Sequence, residues 1–158
     1  MAGAIAAAFL LPVSAHAGTA SDDMGVSAEV LDRCNVTATP MGFVVANPGT
    51  NTSVDSSATV TVECTQFTFF VVSMDDGQHA NGSQRRMKSN LGNVFLNYEI
   101  YTNAARTSRW GQGLGAGRWG LTFGAGTINY TAYGRIPSVG AFNPAGLYSD
   151  TVAVTVAF

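Results

Sequence analysis

Four stretches of the chain alternate between apolar and polar residues, and this alternation predicts its elements. In Asp150–Phe158, Val152, Val154, Val156 and Phe158 fall on one face; Thr151, Ala153, Thr155 and Ala157 fall on the other. A period of two over this length is a half-buried β-strand. The alternation points Phe158, the last residue of the sequence, inward. A strand with an apolar face needs a neighbour, either an earlier strand of the same chain or one from another protein. Met24, Val26, Ala28 and Val30 form the apolar face of a second segment, opposite Gly25, Ser27, Glu29 and Leu31. Ala58–Cys64 sets Val60, Val62 and Cys64 against Thr59, Thr61 and Glu63, and Thr127–Ile136 sets Ile128, Tyr130 and Ala132 on one side.

Other strands read differently. Phe67–Met74 is apolar on both faces, as a central sandwich strand is. Val94–Tyr101 carries Leu96, Tyr98 and Ile100 on one face, Asn35–Thr39 is a short strand after the first cysteine, and Leu121–Phe123 is another short candidate. Between them lie a turn-rich stretch at 47–51, a polar loop from Asp75 to about Asn93, a Gly-rich stretch at 102–126 and a loop at 137–148. No helical period lasts three turns. The expected fold is all-β, an Ig-like antiparallel sandwich.

Composition agrees. Of 158 residues, 46% are hydrophobic and 11% are charged, against a usual ~25% charged. Lysine occurs once and glycine 18 times. A net charge of −2 offers no basic stripe for nucleic acid. The first seventeen residues stand apart. Ala4–Val13 is apolar and Ala15-His16-Ala17 is a small-x-small cleavage pattern, so 1–17 reads as a secretory signal peptide, though without a basic start. The run is too short for a membrane span. In an exported chain the two cysteines, Cys34 and Cys64, read as one disulfide.

Candidate chemistry is sparse. Gly115–Gly120 fits G-x-G-x-x-G, but no helix is expected after it, so it reads as a loop. Asp75-Asp76-Gly77 reads as a turn rather than a calcium site. Once the signal is removed, His79 is the one histidine left, which gives a nucleophile–histidine dyad little to work with. Glu29, Glu63 and Glu99 are expected to be solvated on outer strand faces. Neither a catalytic site nor a cofactor or metal site is expected. Trp110 and Trp119 sit in a repeated Arg-Trp-Gly; they read either as a surface patch for sugars or as a cover over one open end of the sandwich.

The order of motifs resembles a known family. Cys34-Asn35-Val36 precedes Val60-Thr61-Val62-Glu63-Cys64-Thr65, then Arg86-Met87 and Leu96-Asn97-Tyr98-Glu99-Ile100-Tyr101. Tyr133-Gly134-Arg135-Ile136-Pro137 and Gly146-Leu147-Tyr148-Ser149-Asp150-Thr151-Val152 follow. Together they resemble the spore coat protein U domain family, which includes subunits of archaic chaperone–usher pili. The resemblance implies a sandwich lacking its last strand and completed by a donor strand. It implies a signal peptide at 1–17, a donor segment at 18–33 and a sandwich domain at 34–158. Met24, Val26, Ala28 and Val30 would be the donor residues, and Val152, Val154, Val156 and Phe158 the edge of the acceptor groove. Implied partners are a periplasmic chaperone, an outer-membrane usher and other subunits in a head-to-tail polymer, with the chain passing through the periplasm to the cell surface. Two other readings stand beside this one. In one, a secreted or coat protein completes its sandwich with its own N-terminal segment; in the other, a sugar-binding adhesin uses Trp110 and Trp119.

Overall fold

A computed structural model describes residues 18–49, 52–124 and 126–158; the expected signal peptide at 1–17 lies outside them. Residues 18–30 and 31–158 form separate units. The described residues of the first are exposed and without regular structure, with Met24 and Val26 each 87% exposed. Alternation alone does not make a strand, because its main-chain groups need a ladder partner.

The second unit is an antiparallel β-sandwich. Its strands are β1 (Cys34–Ala38), β2 (Val54–Cys64), β3 (Phe69–Met74), β4 (Arg86–Ser89), β5 (Phe95–Asn97), β6 (Glu99–Tyr101), β7 (Arg118–Leu121), β8 (Gly126–Ile136), β9 (Tyr148–Ser149) and β10 (Val154–Ala157). One four-residue helix, α1 (Gly113–Ala116), precedes β7. The larger sheet runs β1-β2-β8-β6, the facing sheet β10-β3-β7, and a small sheet β5-β4-β9. The long β2–β8 ladder pairs Val54 with Ile136 and Cys64 with Gly126. The phase read from the sequence sets its inner face, with Val60, Val62, Cys64, Tyr130 and Ala132 all buried. Phe70, Val72 and Met74 of β3 meet them from the other sheet.

Cys34 and Cys64 face each other across the β1–β2 ladder and are joined as a disulfide. A loop of this length is worth about 3–4 kcal/mol in unfolded-chain entropy. The bond fastens β1, an edge strand, to the central β2.

Three segments differ from the sequence expectation. The expected strand Val94–Tyr101 is broken at Tyr98: β5 joins the small sheet and β6 the large one. At the break the Tyr98 amide donates to the Arg85 carbonyl (3.1 Å), and the Gln84 side chain donates to the Tyr98 carbonyl (3.0 Å). The expected polar loop after Asp75 contains β4 and, beside it, Arg85, which is fully buried. The Gly-rich stretch contains α1 and β7, where Gly120 leaves room for Phe70 and the Tyr130 hydroxyl; a Cβ there would strike both.

Candidate functional site

β10 pairs with β3 on one side, Val154 opposite Met74 and Val156 opposite Val72. Its other side is an outer edge of its sheet, as β1 is of the larger sheet. The two edge strands lie against each other without sharing a ladder. From Ala38 and Val154 onward an apolar cleft separates the chain after β1 from the chain before β10. Its first lobe, about 430 Å³, has Met41 and Phe43 on one wall, Thr151 and Val152 on the other, and Val60 and Ile100 among the floor residues. Its second, about 420 Å³, continues between Val45 and Pro48 on one side and Pro144 to Tyr148 on the other. Met41, Phe43, Met87 and Tyr148 line both lobes.

Backbone sterics help shape this cleft. Gly134 on β8 lies beneath Met41 and Phe43, and a Cβ there would collide with the Met41 sulfur and approach Phe43 to 2.7 Å. Ser56 donates to the Gly42 carbonyl (2.5 Å) and so fixes the 41–43 wall from the β2 side.

The wall preceding β10 is held by polar groups. The Asp150 side chain is only 2% exposed. Its carboxylate accepts from the Tyr98 hydroxyl (2.7 Å) and the His79 amide (3.1 Å), and its Oδ1 lies 3.0 Å from His79 Nδ1. Burial and the hydrogen bond to Asp150 push the Tyr98 phenol well above its usual range. Asp75 accepts from the Gly77 amide (3.0 Å) and the Ala153 amide (2.9 Å) through the same Oδ1. Asp76 binds Arg109 (2.5 Å). The Asp75-Asp76-Gly77 turn therefore has protein donors on both carboxylates.

Of the expected groove-edge residues, Val152 and Val154 line the cleft. Val156 packs on the core beyond it, where β10 lies against β1. Phe158, expected to point inward, is 59% exposed, because the ladder with β3 ends at Ala157 opposite Val71.

The pairing of Trp110 with Trp119 as a surface patch is overturned. Trp110 is fully buried, its indole N–H donates to the Val72 carbonyl (2.8 Å), and its ring meets Tyr130 edge-on at 6.2 Å. Trp119 is 60% exposed on β7, opposite Val71, and its indole N–H donates to the Leu114 carbonyl (3.1 Å). Tight β-strand packing absorbs one tryptophan, and the short helix props the other.

Glu99 was expected to be solvated, yet its side chain is only 16% exposed and pairs with Arg85 and, at 2.7 Å, with Arg109. Arg85 was missed entirely by sequence reasoning. Its guanidinium also donates to the carbonyls of Asp75 (2.9 Å), Met74 (3.3 Å) and Trp110 (2.8 Å). Nothing in a run of polar residues marks one of them as interior.

Comparison with known proteins places this architecture. The model of the Spore Coat Protein U domain family matches residues 20–155. The chain is similar to Protein U of Myxococcus xanthus, with 29% identity over 174 aligned positions covering 100% of this chain and 96% of that protein. It is also similar to a chain in the crystal structure of the CsuC–CsuE chaperone–tip adhesion subunit pre-assembly complex, from the archaic chaperone–usher Csu pili of Acinetobacter baumannii. There the TM-score is 0.61 and the identity 32%, over 82% of this chain and 40% of that one. The present chain therefore spans two-fifths of the length of that pilus-complex chain. The residues matched and the sandwich they build show that this chain belongs to the Spore Coat Protein U domain family.

Proposed function

We propose that the chain is a structural subunit of a surface pilus, joined to its neighbours by donor-strand exchange. The observation that carries this reading is the apolar cleft between the 38–48 and 143–154 segments, bounded by two edge strands that share no ladder. An exposed apolar edge is an aggregation hazard unless a partner covers it. A strand added there bonds its main chain to the edge and places alternate side chains in pockets, a mode of recognition known for pilin assembly. Residues 18–30 supply a matching strand. They are exposed, lack regular structure and carry Met24, Val26, Ala28 and Val30 at two-residue spacing. Side chains on one face of such a strand repeat about every 7 Å, so four of them fill an elongated cleft rather than a round pocket.

In this reading residues 18–30, from the donor segment, enter the cleft of the next subunit, while Asp32 and Arg33 stay bonded to Thr65 of their own sandwich, and residues 1–17 direct export. A periplasmic chaperone covers the cleft in transit, an outer-membrane usher exchanges the chaperone for the next subunit, and the finished polymer stands on the cell surface. The resemblance to a chain from a chaperone–subunit complex supports the chaperone in particular.

The experiment compares two proteins. One is residues 18–158; the other carries an extra copy of residues 19–31 after Phe158 through a flexible linker. The expected outcome is aggregation or polymerisation of the first and a stable monomer from the second. A well-behaved monomer from the unextended protein would refute exchange between chains and favour a sandwich that completes itself.

A further inference from the structure

The cleft wall at 150–153 is extended but belongs to no strand, so something other than a regular sheet must hold it in place. The segment at 75–79 does this. The Asp75 amide donates to the Ala153 carbonyl (3.0 Å), the Ala153 amide donates to the Asp75 carboxylate (2.9 Å), and the Gln78 amide donates to the Thr151 carbonyl (3.1 Å). At the far end of the wall, His79 and Tyr98 hold the buried Asp150 carboxylate. Gly77 makes the close approach possible. Its φ is +83°, and a Cβ on it would collide with Asp150 Oδ2. Behind the bracket, Arg85 fixes the Asp75 carbonyl (2.9 Å).

In an extended chain, alternate residues turn their main-chain groups to opposite edges. With Thr151 and Ala153 bonded to the 75–78 segment, Val152 and Val154 are left to offer their amides and carbonyls to the open edge, while the side chains of both line the cleft. The bracket therefore sets both the hydrogen-bonding phase and the position of the wall before any strand arrives.

We propose that the bracket formed by Asp75, His79, Tyr98 and Asp150 preorganises the cleft wall for strand capture, so that Asp150 and Tyr98 are positioning residues for the incoming strand. This rests on the reading of the cleft as a strand acceptor. A wall that is already extended loses less freedom when the strand docks. Once the strand is seated, its own ladder holds Val152 and Val154, and the bracket becomes partly redundant. Loss of the bracket should thus slow capture more than it weakens the filled product.

The test uses residues 18–158, oxidised and at low concentration, with a labelled synthetic peptide of residues 18–31 in large excess. Wild type, Asp150→Asn and Tyr98→Phe are compared for the rate of peptide capture and for the melting temperature of the filled product. Each variant should capture the peptide about tenfold more slowly, the effect expected from weakening one buried charge-assisted hydrogen bond, while the filled products melt only slightly below wild type. Equal capture rates would overturn the proposal. So would slower capture matched by an equally weakened filled product, because that marks a general loss of stability. Failure of the wild type to take up the peptide would sink the acceptor reading itself, and the bracket's role with it. If Asp150→Asn does not fold, Tyr98→Phe decides the matter, since it removes one hydroxyl and keeps the ring.

Discussion

The buried polar side chains carry much of what makes this sandwich specific. Arg85, Glu99, Asp150 and Tyr98 are all inside or nearly so, and each meets partners of the right kind. A buried polar group costs little when its hydrogen bonds are made and several kcal/mol when they are not. Tyr98 gives this a measurable consequence. Burial and then Asp150 raise its folded pKa, and burial also raises that of Tyr130. Both phenols therefore give up their protons less readily in the folded state than in the unfolded chain, where they ionise at about pH 10. Their contribution to stability is complete below that pH and is lost as pH rises past it. The urea midpoint should therefore be flat up to about pH 9 and fall above about pH 10. Tyr98→Phe should make the alkaline fall shallower, with tyrosinate absorbance reporting the ionisation. An unchanged slope would mean that Tyr98 ionises in the folded state as it does in the unfolded chain.

Among the elements, β10 is an edge strand whose two sides have different fates. One edge is laddered to β3, and the other is an outer sheet edge that meets the cleft at Val154. Val154 stands at the point where the cleft begins. In Val154→Asp the new carboxylate still reaches water while the cleft is open, but Val154 is partly buried against the core, so the unfilled domain should lose about 1–3 kcal/mol. When a strand is seated, the same carboxylate becomes buried without a partner, which costs several kcal/mol. Capture of the residues 18–31 peptide should fall by more than a hundredfold, a larger loss than the accompanying shift in chemical unfolding of the domain accounts for. Normal capture would show that the strand does not pass Val154.

In the proposed reading, the whole molecule carries a donor and an acceptor at different places on one chain. A joint of this kind is heterologous and, if its rotation does not close, builds an open fibre. This can be tested by disabling one half at a time. Val154→Asp blocks the acceptor and leaves the donor, whereas Val26→Asp does the reverse. Neither should polymerise alone, and a mixture should give one-to-one dimers by light scattering, because a single competent joint remains. Fibres from either variant alone, or monomers only in the mixture, would contradict the head-to-tail scheme.

What the sequence determined by itself is the strand phase and the class of fold. Val60, Val62 and Cys64 read as one inner face and are one, because alternation is a local property and the core imposes it on every paired strand. The order of short motifs likewise pointed to the family that the comparison identifies. Only the tertiary structure decided where Trp110, Arg85 and Glu99 lie, why the strand breaks at Tyr98, and that the cleft runs from Val154 toward Pro144 rather than along all of β10. Each of these depends on groups far apart in sequence. A guanidinium becomes interior when three carbonyls and a carboxylate converge on it, and a cleft exists where two edge strands stop touching. A pattern of hydrophobic and polar positions records which face of a strand is dry. It does not record which edge of the strand is left without a neighbour.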